Sequence, residues 1–528
     1  MTGSATRLLL RFNLRRDRLM LLWWVLGAVL LYWSQAVSVE GLYPTQVEFD
    51  RAAASMADNV AFIAMAGPAR ALNTVGGQVA WQASAFGAVV AGLLSMLLVG
   101  RHTRAEEESG RDELVRAGAV GRRAPVAAAG LTVLVANVLL GGLIAASLVG
   151  YGLAVAGSVS LGLAAALAGL VFGSVALVAA QLTDGTRAMY GITGAVIGAS
   201  YVLRAVGDVA NGALSALSWA SPIGWGQAMH AFSGERWWPA FISVAAVIVL
   251  LAVALRLFDR RDIGSGLMAA RPGPSRAGAR LRGSLGLAWR QQRASVAGWA
   301  AGLFLTGLAY GAIGDDVKDL LGDSQFAQDV FVQGGGTIVD SFYAVAVVML
   351  ALMASGFAVS SAMRPRGEED AGRLEGLLAT GLTRRRWAAT YLAVTVAGTV
   401  AVVVAAGLGL GLGYQLVTGD GSAVGRLLGA TLPYVAPVLL LAALTWLTYG
   451  LSPRWAGFGW VALTFCVVVS FFGELLQLPD WVVDLSPFSH LALMPAEPLG
   501  WGPLLALLAV AAALGVAGTG ALERRDVR

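Results

Sequence analysis

The chain of 528 residues is 57% hydrophobic and only 13% charged, with a mean hydropathy of +0.70. A water-soluble fold of this length has nowhere to hide so much apolar surface, so the composition excludes a soluble globular protein and requires lipid around the chain. The net charge of +5 is almost wholly arginine, Lys318 being the sole lysine, and the lone Cys466 excludes a disulfide framework or a cysteine metal site within the chain.

Stretches of about 20 apolar residues, enough for a helical crossing, recur along the whole sequence. In chain order the predicted cores are 20–38, 83–100, 125–152, 159–181, 189–207 and 239–257, then 294–312, 341–362, 388–416, 427–450, 455–476 and 502–521. A cleaved signal peptide does not account for them, because they continue to the C-terminus. The expected fold class is an all-α polytopic membrane protein, with about twelve transmembrane helices arranged as two parallel six-helix repeats.

The N-terminal segment carries Arg7, Arg11, Arg15, Arg16 and Arg18, four of them on one helical face, with Leu8, Leu9, Phe12 and Leu14 toward lipid. That pattern predicts an amphipathic helix lying on the membrane surface. Arginines also crowd the loops after the second and eighth spans, the stretch 256–293 and the C-terminus. With twelve spans all of these fall on one side, which the positive-inside rule makes cytoplasmic. Both termini are therefore expected in the cytoplasm and the chain in the bacterial plasma membrane as a multi-pass protein. The opposite side is locally acidic, with Asp315, Asp316, Asp319 and Asp323. Arginines confined to short loops between spans argue against a nucleic-acid partner.

After the second span the chain reads EEESGRDELVRAGAVGRR from Glu106, and after the eighth it reads EEDAGRLEGLLATGLTRR from Glu368. Glu106, Glu107, Gly110, Arg111, Glu113, Ala117, Arg122 and Arg123 recur unchanged 262 positions later. Gly150-Tyr151 returns as Gly413-Tyr414, and Ser221-Pro222 with Met229 as Ser486-Pro487 with Met494. Ordered landmarks with slowly drifting offsets indicate duplication. Two copies of six spans share one orientation, related by an axis along the membrane normal. The expected domains are 1–261, a cytoplasmic linker 262–284 containing Pro272 and Pro274, and 285–528, each half being a surface helix plus six spans.

In the acidic loops, Glu106–Glu108 favours the positive end of a short helix, and Thr103 with Glu106 has capping-box spacing. Glu107 with Arg111, and Glu369 with Arg373, are spaced for i,i+4 pairs. Leu114 and Val115, or Leu377 and Leu378, set an apolar patch beside the charges. Further along, the few charges near or inside spans are Arg204 and Asp208, spaced to neutralise each other, with Asp340 and Glu474, all near predicted outer span ends. Gly407, Gly409, Gly411 and Gly413 give small-residue spacing for close helix packing.

The pattern acid-acid-x-x-Gly-Arg-x-Glu, followed by small residues and then arginines, resembles the loop of ABC-2 type export permeases. Glu368–Arg386 is the closer copy; Arg116-Ala117-Gly118 departs where the second loop has Leu378-Ala379-Thr380. Fusion of two halves and the EEESGR wording are similar to the actinobacterial polyketide-antibiotic (tetronasin-type) exporters. The resemblance implies that Glu106, Glu107, Glu108, Gly110, Arg111 and Glu113, with Glu368, Glu369, Asp370, Gly372, Arg373 and Glu375, contact ATP-binding subunits. Two copies of such a subunit would be the partners, holding ATP and Mg, with no cofactor in this chain. It also implies elbow helices at the start of each half and short capping helices within 221–238 and 486–501. By the same analogy Trp24, Phe86, Tyr190, Tyr201, Trp299, Phe342, Tyr343 and Phe465 are candidates to line a cavity for a lipophilic drug or polyketide.

A chain with Lys318 as its only lysine holds no G-x-x-x-x-G-K-[ST] loop. His102, His230 and His490 form no metal-ligand pattern, and no nucleophile–base set is visible, so an enzyme acting on membrane lipids has little support. The leading expectation is a permease subunit of an ABC exporter without its own ATPase site. The alternative is an ion-coupled twelve-span secondary transporter, which would carry a Gly-x-x-x-Asp-Arg-like loop after the second span and carboxylates at mid-membrane.

Overall fold

A computed structural model describes residues 2–526 except 43–44, 58–59, 119, 211, 263, 269–274, 277, 279–280, 282, 314–336 and 474–477. Asp315, Asp316, Lys318, Asp319, Asp323, Glu474, Pro272 and Pro274 lie outside the described residues. The protein is an all-α polytopic membrane protein: among the described residues twelve helices are long and apolar enough to cross a bilayer, and each coincides with an expected core. No strand occurs among the described residues. The chain divides into two compact units, Met1–Gly273 and Pro274–Arg528.

In the first unit the helices are α1 (Thr2–Leu42), α2 (Gln46–Ala57), α3 (Val60–Ala66), α4 (Val75–His102), α5 (Arg104–Glu108), α6 (Arg111–Arg116), α7 (Ala124–Tyr151), α8 (Val155–Leu182), α9 (Thr186–Val209), α10 (Pro222–Gln227) and α11 (Trp238–Arg260). The six crossings are α1, α4, α7, α8, α9 and α11. Helix α8 is the most enclosed, and alanine, glycine and serine along it let α7 approach: a Cβ on Gly141 would lie 2.4 Å from the Gly162 carbonyl oxygen. Lipid-facing positions carry large apolar side chains, such as Trp23, Val138, Phe241 and Ile248.

The basic N-terminal segment is not a separate surface helix. It continues into the first crossing as one helix of 41 residues. No Gly or Pro lies between Arg7 and Leu26 to break it. Its polar side chains also have partners inside the unit. Asn13 Nδ2 donates to Thr132 Oγ1 at 3.3 Å, and the buried Asp17 takes Arg101 Nε at 2.8 Å and His102.

The second unit contains α12 (Ser284–Gly311), α13 (Ile338–Ala362), α14 (Arg364–Asp370), α15 (Arg373–Leu378), α16 (Arg384–Thr418), α17 (Ala423–Thr431), α18 (Val435–Leu451), α19 (Phe458–Phe472), α20 (Asp480–Val483) and α21 (Trp501–Arg524). Helix α12 likewise runs without a break into its crossing. The glycine run of α16 does what its spacing suggested. A Cβ on Gly409 would lie 2.1 Å from the Phe304 carbonyl oxygen, and one on Gly413 would lie 2.2 Å from that of Leu308. Helices α12 and α16 therefore meet backbone to backbone, with Gly307 and Gly311 facing Ala406 and Leu410 from the other side. Asp340 is paired, with Arg426 Nη1 2.5 Å from its Oδ1.

Candidate functional site

Both acidic loops are two short helices joined at a left-handed glycine: Gly110 at φ 71° between α5 and α6, Gly372 at φ 67° between α14 and α15. That backbone region is open to glycine at little cost. The bend interrupts the helical register, so the i,i+4 pairing expected for Glu107 with Arg111 and for Glu369 with Arg373 is replaced. Arg111 Nε donates to Glu106 Oε2 at 3.0 Å, and Arg373 reaches both oxygens of Glu368, at 2.8 and 3.0 Å. The Glu368 carboxylate raises the pKa of the Arg373 guanidinium above its ordinary value through that bond. Thr103 forms no capping box; its hydroxyl donates back to the Val99 carbonyl at 2.6 Å.

The second acid of each loop is held by the arginine that follows the last crossing of its own unit. Glu107 takes Arg261, whose Nη1 lies 3.1 Å from Glu107 Oε2, and Arg104 Nη1 at 2.7 Å. Gln181, near the end of α8, braces Arg261 through its Oε1 at 2.7 Å. Glu369 takes Arg525 through two parallel bonds, at 2.9 and 2.8 Å, and the Tyr449 hydroxyl at 2.7 Å. Bidentate guanidinium–carboxylate pairs of this kind are directional as well as strong.

A second arginine closes each loop from the other side. Arg122 Nη2 donates to the Arg261 carbonyl at 2.7 Å, and Arg384 Nη1 to the Arg525 carbonyl at 2.7 Å. Next to them Arg123 pairs with Asp259, and Arg385 with Glu523. The last-crossing residues in these clasps read Asp259-Arg260-Arg261-Asp262 and Glu523-Arg524-Arg525-Asp526. The two stretches share the pattern acid-Arg-Arg-Asp.

The other expected residues divide between anchoring and exposure. Glu106 also receives Arg16 Nη1 of α1 at 2.5 Å. Glu108 accepts from the Thr186 backbone N–H at 2.6 Å and its hydroxyl at 2.8 Å, which caps the start of α9. Asp370 pairs with Arg366 at 3.4 Å. On the inner face, Asp112 pairs with Arg116 at 2.5 Å. The equivalent Leu374 is instead buried with Trp387, Tyr391, Trp446 and Tyr449. Facing outward are Arg111, Glu113 and Leu114 on α6, with Leu114 77% exposed, and Arg373, Glu375 and Gly376 on α15. Each loop thus spends most of its acids on its own unit and presents the outer face of its second short helix.

The eight aromatic candidates are dispersed. Trp24 and Tyr190 pack on one core cluster of the first unit, and Tyr201 on another. Phe86 is 57% exposed. Trp299, Phe342 and Phe465 pack on the main core of the second unit. Tyr343 is fully buried there, donating to the Gly311 carbonyl at 3.0 Å with its ring edge-on to Tyr414 at 5.3 Å. None of the eight lines any of four surface-open cavities among the described residues. No group of three or more metal-ligating side chains occurs among those residues either.

Comparison with known proteins finds two similarities. A family model described as the C-terminal domain of the multidrug efflux system permease Rv1217c matches residues 281–522. The curated multidrug efflux system permease protein Rv1217c of Mycobacterium tuberculosis (strain ATCC 25618 / H37Rv) is 38% identical over 531 residues, covering 99% of this chain and 96% of the relative.

Proposed function

The chain belongs to the family of the Rv1217c multidrug efflux permease, and from that membership we propose that it is the membrane subunit of an ATP-driven exporter of lipophilic or amphipathic compounds. In this reading it is an ABC-2 type permease whose single chain supplies both transmembrane halves. Two copies of a separate ATP-binding protein dock on the cytoplasmic face, one at the loop around 104–123 and one at 366–386. Closure of that ATP-binding dimer pushes on α6 and α15. The push passes through Glu107–Arg261 and Glu369–Arg525 to the last crossing of each half, and through Glu108 to α9.

The observation that carries the proposal is the repeated build of the two loops. Each has a left-handed glycine, a first acid tied to the arginine after that glycine, and a second acid clasped to the last crossing. A loop whose only task is to connect two spans needs none of this. An element that must transmit force needs rigid attachment on one side and a free face on the other, and both loops have that form. The name of the relative, a multidrug efflux permease, supports a drug-like cargo.

The test is reconstitution. Co-expression with a candidate ATP-binding subunit should yield a stable complex with two such subunits per chain, and proteoliposomes should move a lipophilic dye only when MgATP is supplied. Dye movement by the purified chain alone on a proton gradient would instead establish an ion-coupled transporter and overturn the proposal.

A further inference from the structure

At the end of the first unit away from the arginine-rich loops, helix α3 finishes in five consecutive carbonyls, each capped by a side chain. The fully buried Arg204 donates to Ile63, Ala64 and Met65 at 3.3, 2.8 and 3.0 Å. Tyr201 donates to Met65 at 2.5 Å, Gln227 to Ala66 at 2.5 Å and Trp81 to Gly67 at 2.7 Å. Arg204 is thereby a clamp on the 63–65 segment first, and its bond to Asp208 is long at 3.5 Å. Beyond the clamp Ala71 sits at φ 47°, and across from it His230 and Phe232 sit at φ 54° and 60°. Left-handed backbone at three non-glycine residues costs roughly 1 kcal/mol or more each.

Pro68 and Arg70, just past the clamped segment, wall a cavity of about 380 Å³. Its lining includes Arg70, Arg236, Asp208 and the imidazole of His230, and its mouth holds Trp219 and Trp238, stacked at 5.2 Å and about half exposed. Asp208 is already engaged, by the Ser218 hydroxyl at 2.6 Å and by Arg204. Arg70 makes only a long contact, to the Gln227 carbonyl at 3.4 Å. Burial, and then the neighbouring Arg70 and Arg236, push the His230 imidazole down to about 4, so His230 is neutral at neutral pH. Two guanidinium groups at the wall, with a tryptophan pair where the last crossing begins, make a cationic recess next to an apolar shelf.

We propose that this recess binds the acidic headgroup, carboxylate or phosphate, of an amphipathic molecule whose apolar part lies along Trp219 and Trp238. Guanidinium groups pair with such anions in directed, charge-assisted bonds, and indole rings suit the depth at which an amphiphile changes from polar to apolar. The site is independent of how transport is powered. Its occupant is either an anionic membrane lipid or a dissolved amphiphilic anion, and the chemistry recognised is the same.

The probe is radiolabelled dodecyl phosphate, bound to the whole chain in phosphatidylcholine nanodiscs and corrected with empty nanodiscs. Wild type should bind it about tenfold more tightly than the double variant R70Q/R236Q, with both proteins melting at similar temperature. Wild type should also prefer it to dodecyltrimethylammonium. That second comparison needs no variant, so a folding defect cannot obscure the answer. Doping the nanodiscs with phosphatidylglycerol separates the sources, with the double variant as the baseline for bulk surface charge. Specific loss of dodecyl phosphate binding marks a lipid occupant, and an unchanged affinity marks a dissolved amphiphile. Equal binding by wild type and R70Q/R236Q, or equal binding of the phosphate and the ammonium compound, would overturn the site.

Discussion

Arg525, one residue past the last crossing, closes on Glu369 with two parallel hydrogen bonds of 2.9 and 2.8 Å. Glu369 belongs to a loop between the second and third crossings of the same unit, so one carboxylate ties the loop to the end of the bundle. The Tyr449 hydroxyl completes its shell, and the Arg525 guanidinium lies over the Tyr449 ring, 5.3 Å from its centroid. The first unit repeats the arrangement with Glu107 and Arg261.

Because both partners are largely buried, removing one leaves the other charged and unpaired. Glu369→Gln should destabilise the second unit by about 3 kcal/mol, and Arg525→Gln by a similar amount. The double variant should cost less than the two single losses together. A double-mutant cycle on thermal unfolding in detergent checks this; strictly additive losses would mean that the two side chains do not interact.

Gly110 and Gly372 have open space where a Cβ would go, so their role is purely backbone. Gly372→Ala should lower stability by about 1 kcal/mol, while Gly372→Asn, which tolerates left-handed backbone, should lower it less. Melting temperatures of the pair decide it, the Ala variant falling below the Asn variant.

This bend also marks where the sequence stopped being legible. Twelve crossings follow from runs of apolar residues, because lipid leaves the chain little alternative to helix. The two acidic loops are visible as a repeated phrase from Glu106 and Glu368. Their internal pairing is not, since the i,i+4 rule assumes a continuous helix and Gly110 interrupts it. The partners of Glu107 and Glu369 are even less accessible, as Arg261 and Arg525 lie more than 150 residues downstream and only folding brings them near. The spacing of Arg204 and Asp208 is realised as a pair at 3.5 Å, but the three carbonyls of residues 63–65 that take most of the Arg204 donors come from a distant segment that no spacing shows.

The backbone contact between α12 and α16 leaves no room for a methyl group at Gly409. Gly409→Ala should force the helices apart at a cost of about 1–3 kcal/mol. Gly425→Ala, on the open face of α17 with nothing within 4 Å, should be neutral or stabilise by about 0.5 kcal/mol. Comparing the thermal stability of the two variants separates packing from helix propensity.

His230 carries a pH dependence whose sign follows from its depressed pKa. The unfolded chain takes up a proton near 6.5, whereas the folded site resists it down to about 4. The contribution to stability is therefore complete above pH 6.5 and is lost as pH falls toward 4. Wild type should lose more melting temperature across that interval than His230→Asn, which accepts the same left-handed backbone and has no imidazole. Parallel pH profiles for the two proteins would remove His230 from this role.

The claim that α6 and α15 are the docking faces for an ATP-driven motor is tested most directly on their exposed residues, since the buried acids hold the loops themselves. Leu114→Glu together with Glu375→Lys touches no clasp and should leave the melting temperature of the permease unchanged. In a reconstituted complex with the ATP-binding subunit, the account predicts that this double variant loses drug-stimulated ATP hydrolysis by about tenfold or more and co-purifies poorly, as expected when central interface residues are altered. A variant that keeps both the complex and its drug-stimulated hydrolysis at the wild-type level would contradict it.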